Sequence, residues 1–183
     1  MTDPDHSDDP PRPRATAAHD SERADGDDAE AGIWASGDAY EPYVGRWSRR
    51  VARAFVAWLE PPPNGRWLDV GCGTGALTET ILEQAAPRQI VGVDPAAAFL
   101  GYARSRLRDP RCVFVAGDVF AAPTAVDGFD AVVSGLALNF MPDPAAAVAE
   151  MARLTRPGGI VAAYVWDYAG EMHLMRQFWD AAG

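Results

Sequence analysis

Positive charge is scarce in this chain of 183 residues: 16 basic side chains, all of them arginine, stand against 26 acidic ones, for a formal charge of −10. Without a basic patch the chain is a poor electrostatic match for nucleic acid or an anionic membrane surface, and neither is expected as a partner. Cysteine is scarcer still. Cys72 and Cys112 have nothing resembling a ligand cluster around them, which points to reduced thiols and to no metal site. No stretch approaches the roughly 20 apolar residues of a membrane-crossing helix, and no basic region followed by an apolar run opens the chain. A soluble, unexported, cytoplasmic protein is expected.

The acidic excess is uneven. Up to Gly32 there are ten acids against Arg12, Arg14 and Arg23, and large apolar side chains are nearly absent before Ile33. Residues 1–37 therefore cannot bury enough surface to offset the entropy of ordering, and they read as a disordered acidic tail in which His6 and His19 are solvated. The remainder, 38–183, suits one domain in a chain that is 48% hydrophobic.

That domain is organised around Arg66 to Ile81. Trp67-Leu68-Asp69-Val70 is a short apolar run with one carboxylate, followed by glycine at the alternate positions 71, 73 and 75 and then by helix formers. A strand, a tight turn and a helix start are expected. Glycine lets a ligand approach the backbone, and the first amides of the helix offer it unpaired donors. Gly71-x-Gly73-x-x-Ala76 also satisfies the loose dinucleotide fingerprint. Asp69 separates the two readings: a carboxylate there repels a pyrophosphate and suits an ammonium or sulfonium.

Before this loop, Ser48 is the expected N-cap of a helix reaching Leu59, with Val51, Phe55, Trp58 and Leu59 as its apolar stripe. Pro61, Pro62 and Pro63 end it. Phe55 and Trp58 are expected in the core, whereas Tyr43 and Trp47 precede the helix and are placed to cover a ligand. After the loop come a helix from Ala76 to about Ala85, a buried strand from Gln89 to Asp94, and a helix opened by Pro95 and running through Leu107. Strands from Cys112 to Ala116 and from Phe129 to Ser134 follow. A helix from Pro142 to Leu154, an Arg156-Pro157-Gly158-Gly159 turn and a strand from Ile160 to Val165 come next. Apolar strands alternating with helices imply a doubly wound, Rossmann-like α/β/α sandwich with a mainly parallel sheet. In such a sheet ligands bind outside the carboxyl ends of the strands, where Asp94 is placed to accept from ribose hydroxyls and Asp118 from an amine.

Asp69-x-Gly71-x-Gly73-x-Gly75 resembles the first motif of class I S-adenosylmethionine-dependent methyltransferases. Val91-Gly-Val-Asp94, Gly117-Asp118, Phe129-Asp130-Ala-Val-Val and Leu154-Thr-Arg-Pro-Gly-Gly159-Ile continue the likeness in order, most like the small-molecule subgroup that includes ubiquinone- and menaquinone-biosynthesis enzymes. The resemblance implies a cofactor site of Asp69, Gly71, Cys72, Gly73, Gly75, Asp94, Pro95, Asp118, Val119 and Ser134. Pro95 would pack on the adenine, Asp118 would receive its amine, and the Val119 amide would meet a ring nitrogen. S-adenosylmethionine would be the donor and S-adenosylhomocysteine the product, with no metal.

The transfer needs no enzyme nucleophile, only alignment, water exclusion and a destination for a proton. Acceptor-side candidates are Tyr43, Asn139, Trp166, Asp167, Tyr168 and His173. After strand four stands Ser134-Gly135-Leu136-Ala137, without the Asn/Asp-Pro-Pro-aromatic motif of base-amino enzymes, the paired glutamates of protein arginine enzymes or the acid of metal-dependent catechol enzymes. These absences narrow the substrate, and the likeness to the small-molecule subgroup implies a small-molecule acceptor. The family sheet has seven strands and only five are read here, the chain stopping within a helix expected at Glu171 to Ala182. The domain is read as truncated after strand five, with an unpaired edge open to self-association. A non-catalytic cofactor-binding or interaction module is the alternative, and a nicotinamide dehydrogenase is third.

Overall fold

The computed structural model describes residues 46–61 and 63–167, with the side chain of Arg46 excepted. All of them belong to the second of the chain's two units, Trp34–Gly183. The expected tail, Tyr43, Tyr168, His173 and the helix expected over 171–182 lie outside the described residues.

Five parallel strands form one sheet: β1 (Arg66–Val70), β2 (Gln89–Asp94), β3 (Cys112–Ala116), β4 (Phe129–Gly135) and β5 (Thr155–Tyr164), in the order β3-β2-β1-β4-β5. Strand period two sends neighbouring side chains to opposite faces. Trp67 and Ile90 join one apolar cluster while Leu68 and Val91 join the other. Helices α1 (Arg46–Leu59) and α2 (Ala76–Gln84) supply the first cluster with Phe55, Val56, Leu77 and Ile81, and α4 (Pro144–Leu154) supplies the second with Ala147, Met151 and Leu154. With α3 (Ala97–Arg106) between β2 and β3 in the chain, this is the doubly wound α/β sandwich expected. The order in which strands are added across the sheet reverses beside β1, which pairs with β2 on one side and β4 on the other. That reversal opens a crevice at the strand ends.

Several local expectations are corrected. Ser48 is not an N-cap: α1 already runs from Arg46, so Ser48 lies buried in its first turn and Trp47 is helical, 54% exposed, with the Arg50 guanidinium 5.4 Å from its ring centroid. The buried face of α1 is Ser48, Ala52, Phe55 and Val56, so the real stripe is rotated from the expected one. Val51 and Trp58 turn outward, Trp58 to 73% exposure with its ring 6.2 Å from that of Phe55. Two ion pairs on the flank of α1, Arg49 Nε to Glu79 Oε2 at 3.0 Å and Arg53 to Glu83 at 3.6 Å, seat it on α2 in this rotation.

Next, α3 begins at Ala97 rather than Pro95, and Asp94 Oδ1 accepts from the Ala96 amide at 2.8 Å in the turn before it. Helix α4 starts at Pro144, because Asp143 Oδ1 accepts from the Ala146 amide at 2.9 Å and makes Asp143 the N-cap. Finally, the Arg156–Gly159 turn is a bulge inside β5: Phe129 pairs with Thr155, yet Ala131 already pairs with Ile160. Asp130 holds that bulge to the start of β1. Its Oδ2 accepts from the Arg66 amide at 2.7 Å and its Oδ1 from Arg156 Nε at 2.6 Å, and these donors, the Arg66 amide foremost, pull its pKa down.

Candidate functional site

A cavity of about 650 Å³ lies at the carboxyl ends of β1, β2, β4 and β5. Its floor is the loop after β1. The Gly71 and Cys72 amides both donate to the Val93 carbonyl, at 2.9 and 3.1 Å, and the Gly75 amide turns back to the Cys72 carbonyl at 2.8 Å, which folds the loop tightly over β2. Gly71 has φ 70°, and a Cβ there would stand 2.3 Å from that of Ala137, so the loops after β1 and β4 are in contact only because residue 71 has no side chain. At Gly73, φ 52°, a Cβ would meet nothing within 4 Å, so this backbone faces open space in the cavity.

Two carboxylates flank the loop. Asp94 is 7% exposed and uses one oxygen on each side: Oδ2 accepts from the Gly73 amide at 2.8 Å and Oδ1 from the Ala96 amide at 2.8 Å. Burial pushes its pKa up while these two amides oppose the shift. Each oxygen keeps a further lone pair for a ligand donor. Asp69 is wholly buried; its Oδ2 accepts from Thr78 Oγ1 at 2.6 Å, and its Oδ1 is a buried polar atom with no partner. Burial lifts the Asp69 carboxyl to about 7, the Thr78 hydroxyl opposing and the charge of Asp94 adding to the rise. Cys72 lies in the same place, its thiol pushed far up by burial and then by Asp69 and Asp94, so it stays protonated and unreactive.

Of the residues expected from the sequence, Asp69, Gly71, Cys72, Gly73, Asp94, Pro95 and Trp166 line this one cavity. Gly75, Asp118, Val119, Ser134, Asn139 and Asp167 are not among its lining residues. Gly75 is the left-handed N-cap residue of α2, with φ 90°. Ser134 is fully buried and donates its hydroxyl to the Val70 carbonyl at 2.8 Å, tying the end of β4 to the start of the glycine loop. Asp118 is exposed and caps the 3-10 turn Val119–Ala121, accepting from the Phe120 and Ala121 amides at 3.0 and 3.1 Å, while Val119 is buried in the core. Asn139 is exposed and hydrogen-bonds to the backbone of Trp166, and Asp167 is exposed at the chain beyond β5.

The structure adds lining residues that the motif did not flag: Ser48 from α1, Phe99 from α3, Leu136, Phe140 and Met141 from the loop after β4, and Tyr164 at the end of β5. Tyr164 is held by Phe55, ring centroids 4.8 Å apart, and its ring packs so closely over Gly135 that a Cβ there would stand 2.6 Å from the hydroxyl. Leu136 has φ 59°, a conformation costly for a branched side chain and without a signature in the letters. Strand alternation does give a signal for Tyr164, since it is an even step from Ala162 on the cluster face. Among the described residues no group of three or more His, Cys, Asp or Glu could hold a metal ion, and no helix is long and apolar enough to cross a membrane.

Comparison with known proteins bears directly on this site. A family profile described as a methyltransferase domain matches residues 68–163, which run from the strand before the glycine loop almost to the end of β5. The demethylmenaquinone methyltransferase of Roseiflexus sp. (strain RS-1) is 40% identical over 107 residues, 58% of this chain and 45% of that protein. The malonyl-[acyl-carrier protein] O-methyltransferase of Halorhodospira halophila is 36% identical over 155 residues, 81% of this chain and 51% of that one. The chain thus spans about half the length of the curated relatives it matches. Among solved structures, an S-adenosylmethionine-dependent methyltransferase from Geobacter sulfurreducens in complex with S-adenosyl-L-homocysteine superposes with a TM-score of 0.52 at 25% identity, covering 60% of this chain and 45% of the other. With its glycine loop, strand order and the match over more than half its length, the chain belongs to the methyltransferase-domain family, of the class I S-adenosylmethionine-dependent kind that its first motif resembles.

Proposed function

We propose that this chain transfers a methyl group from S-adenosylmethionine to a small-molecule acceptor bound in the same cavity. The observation that carries the reading is the unpartnered Oδ1 of Asp69, buried beside the glycine loop. A buried carboxylate oxygen without a donor costs free energy, and a cationic group of the ligand offsets that cost. The amino end of S-adenosylmethionine has such a charge, and the pyrophosphate of a dinucleotide has the opposite one. Asp94 fits the ribose, because its oxygens are aimed by two backbone amides and retain acceptor capacity. Asp118 and the Val119 amide are assigned to the adenine end by resemblance.

Bound there, the cofactor supplies an activated methyl on a sulfonium. The protein's part is to hold the donor on the glycine loop and Asp94, to exclude water, and to align the acceptor against the walls made by Phe99, Phe140, Met141, Tyr164 and Trp166. The chemistry supplied would be in-line transfer of that methyl to the acceptor's attacking atom with cleavage of the carbon–sulfur bond, giving S-adenosylhomocysteine, with any proton on the acceptor atom passing to solvent. These walls are apolar apart from the polar edges of Tyr164 and Trp166, which favours a hydrophobic acceptor; quinone and malonyl-carrier substrates are those of the named relatives. Self-association through β5 is part of the proposal.

Thermal shift and calorimetry with S-adenosylhomocysteine and NAD test the cofactor. Stabilisation by the first and none by the second is expected, and the reverse would overturn the reading. A donor-consumption screen across quinones, phenols, amines and carboxylic acids then identifies the acceptor. Tight cofactor binding with no turnover across all four classes would favour a non-catalytic binding module.

A further inference from the structure

β4 and β5 separate above Tyr164. Their last register pair is Gly135 with Tyr164, and the Leu136 amide still donates to the Tyr164 carbonyl at 2.8 Å. Leu136 then swings through φ 59° and leads into the 3-10 turn Leu138–Phe140. From that point the chain beyond β5 has no strand beside it on the β4 side among the described residues, and its next peptide groups need other partners.

Asn139 supplies them. Its Oδ1 accepts from the Trp166 amide at 2.9 Å and its Nδ2 donates to the Trp166 carbonyl at 3.1 Å. A side-chain amide carries one acceptor and one donor face, as a peptide unit does, so Asn139 serves as one more rung where the ladder has ended. Trp166 lines the cavity and Asn139 does not. The residues that follow Asn139, Phe140 and Met141, also line it. One amide therefore joins the two segments that wall this side of the cavity.

We propose that Asn139 is a positioning residue of the acceptor side: it touches neither donor nor acceptor and acts by fixing Trp166 as a wall of the cavity. Calling that wall the acceptor side rests on the methyl-transfer reading; the link between Asn139 and Trp166 does not. Among natural side chains of this length only an amide satisfies both groups at once. Aspartate keeps the acceptor for the Trp166 amide but sets a second oxygen against the Trp166 carbonyl, and alanine keeps neither contact.

The test uses the full chain as wild type, Asn139→Ala, Asn139→Asp and Trp166→Phe. Hydrogen exchange is followed at the Trp166 amide, and acrylamide quenching of Trp166 is obtained as the difference from Trp166→Phe. S-adenosylhomocysteine affinity is measured by calorimetry and global stability by urea denaturation. Asn139→Ala is expected to speed exchange at the Trp166 amide about tenfold, the scale of a lost hydrogen bond, and to raise quenching of Trp166. Asn139→Asp should fall between it and wild type, and it reports on the link if the alanine variant does not fold. Cofactor affinity should stay within about twofold in both, as expected for a residue that does not line the cavity. Unchanged exchange at Trp166 in both variants would overturn the proposal, as would a cofactor affinity that falls in step with the exchange rate. Wild-type protein that fails to bind S-adenosylhomocysteine would overturn the methyl-transfer reading instead, and the exchange result would still decide whether Asn139 holds Trp166.

Discussion

At the scale of single residues, the two carboxylates of the cavity do different work, and their substitution separates the roles. Asp94 joins the glycine loop to the turn before α3 through the Gly73 and Ala96 amides. Asp94→Ala is expected to weaken S-adenosylhomocysteine binding by about 1.5–3 kcal/mol, the range for hydrogen bonds to a charged group. Calorimetry that finds unchanged affinity in the folded variant would remove Asp94 from the ribose site. Asp69 contributes a pH dependence of its own. Its carboxyl sits at about 7 in the folded chain against an ordinary value of 3.8. Between those values the folded protein holds a proton that the unfolded chain has released, so this group makes stability fall as pH rises through the window and level off above it. Between pH 5 and 7 the loss should be on the order of 2 kcal/mol in the unliganded protein, at about 1.4 kcal/mol per unit. Asp69→Asn, measured by urea denaturation across that range, should lack this slope, and an equal slope in both proteins would refute the assignment.

At the scale of elements, the sequence located each of the five described strands, because runs such as Gln89–Asp94 are apolar on both faces and bounded by turn residues. It did not set the rotation of α1. Periodicity of 3.6 identifies a stripe, but Val51, Phe55, Trp58 and Leu59 compete with Ser48, Ala52, Phe55 and Val56 at the same spacing. The choice falls to the helix that α1 meets, where Arg49 and Arg53 reach Glu79 and Glu83. Phe55 is common to both stripes and is 7% exposed, whereas Trp58 is 73% exposed. Phe55→Ala should therefore cost about 3–5 kcal/mol by cavity formation, and Trp58→Ala about 0.5 kcal/mol, as at an ordinary surface site. Comparable losses in chemical denaturation would mean that the rotation is wrong. The bulge in β5 escaped the sequence for a similar reason. Arg156-Pro157-Gly158-Gly159 has the composition of a turn, and only Asp130, fixed on the neighbouring strand, draws it into the ladder.

At the scale of the whole molecule, the two outer strands of the described sheet are treated differently. Beside β3, Arg104 Nη2 donates to the Phe114 carbonyl at 2.7 Å and occupies part of that edge. β5 carries no charged residue between Ile160 and Tyr164, and Val161 is 40% exposed. An apolar strand at a sheet edge is a template for pairing. The protein is expected to associate with rising micromolar concentration in light scattering, and Val161→Lys should shift it towards monomer. A monomer at every concentration would refute the expectation.

The sequence by itself determined the family, the succession of strands and helices along the chain and the floor of the cavity, because Asp69, the glycines at 71 and 73 and Asp94 lie on consecutive strand-turn-helix units whose geometry is local. Spacing along the chain suffices when each ligand-facing residue ends its own strand. The far wall of the cavity was only partly legible. Tyr164 enters it through packing on Phe55, Leu136 through a left-handed backbone, and Trp166 through two hydrogen bonds exchanged with Asn139, 27 residues away. Asn139 and Trp166 were both visible as candidates, but as two residues facing an acceptor rather than as one holding the other. Such contacts join segments distant in the chain, and their energies depend on distances that exist only once β4 and β5 have paired; the tertiary structure alone decided them.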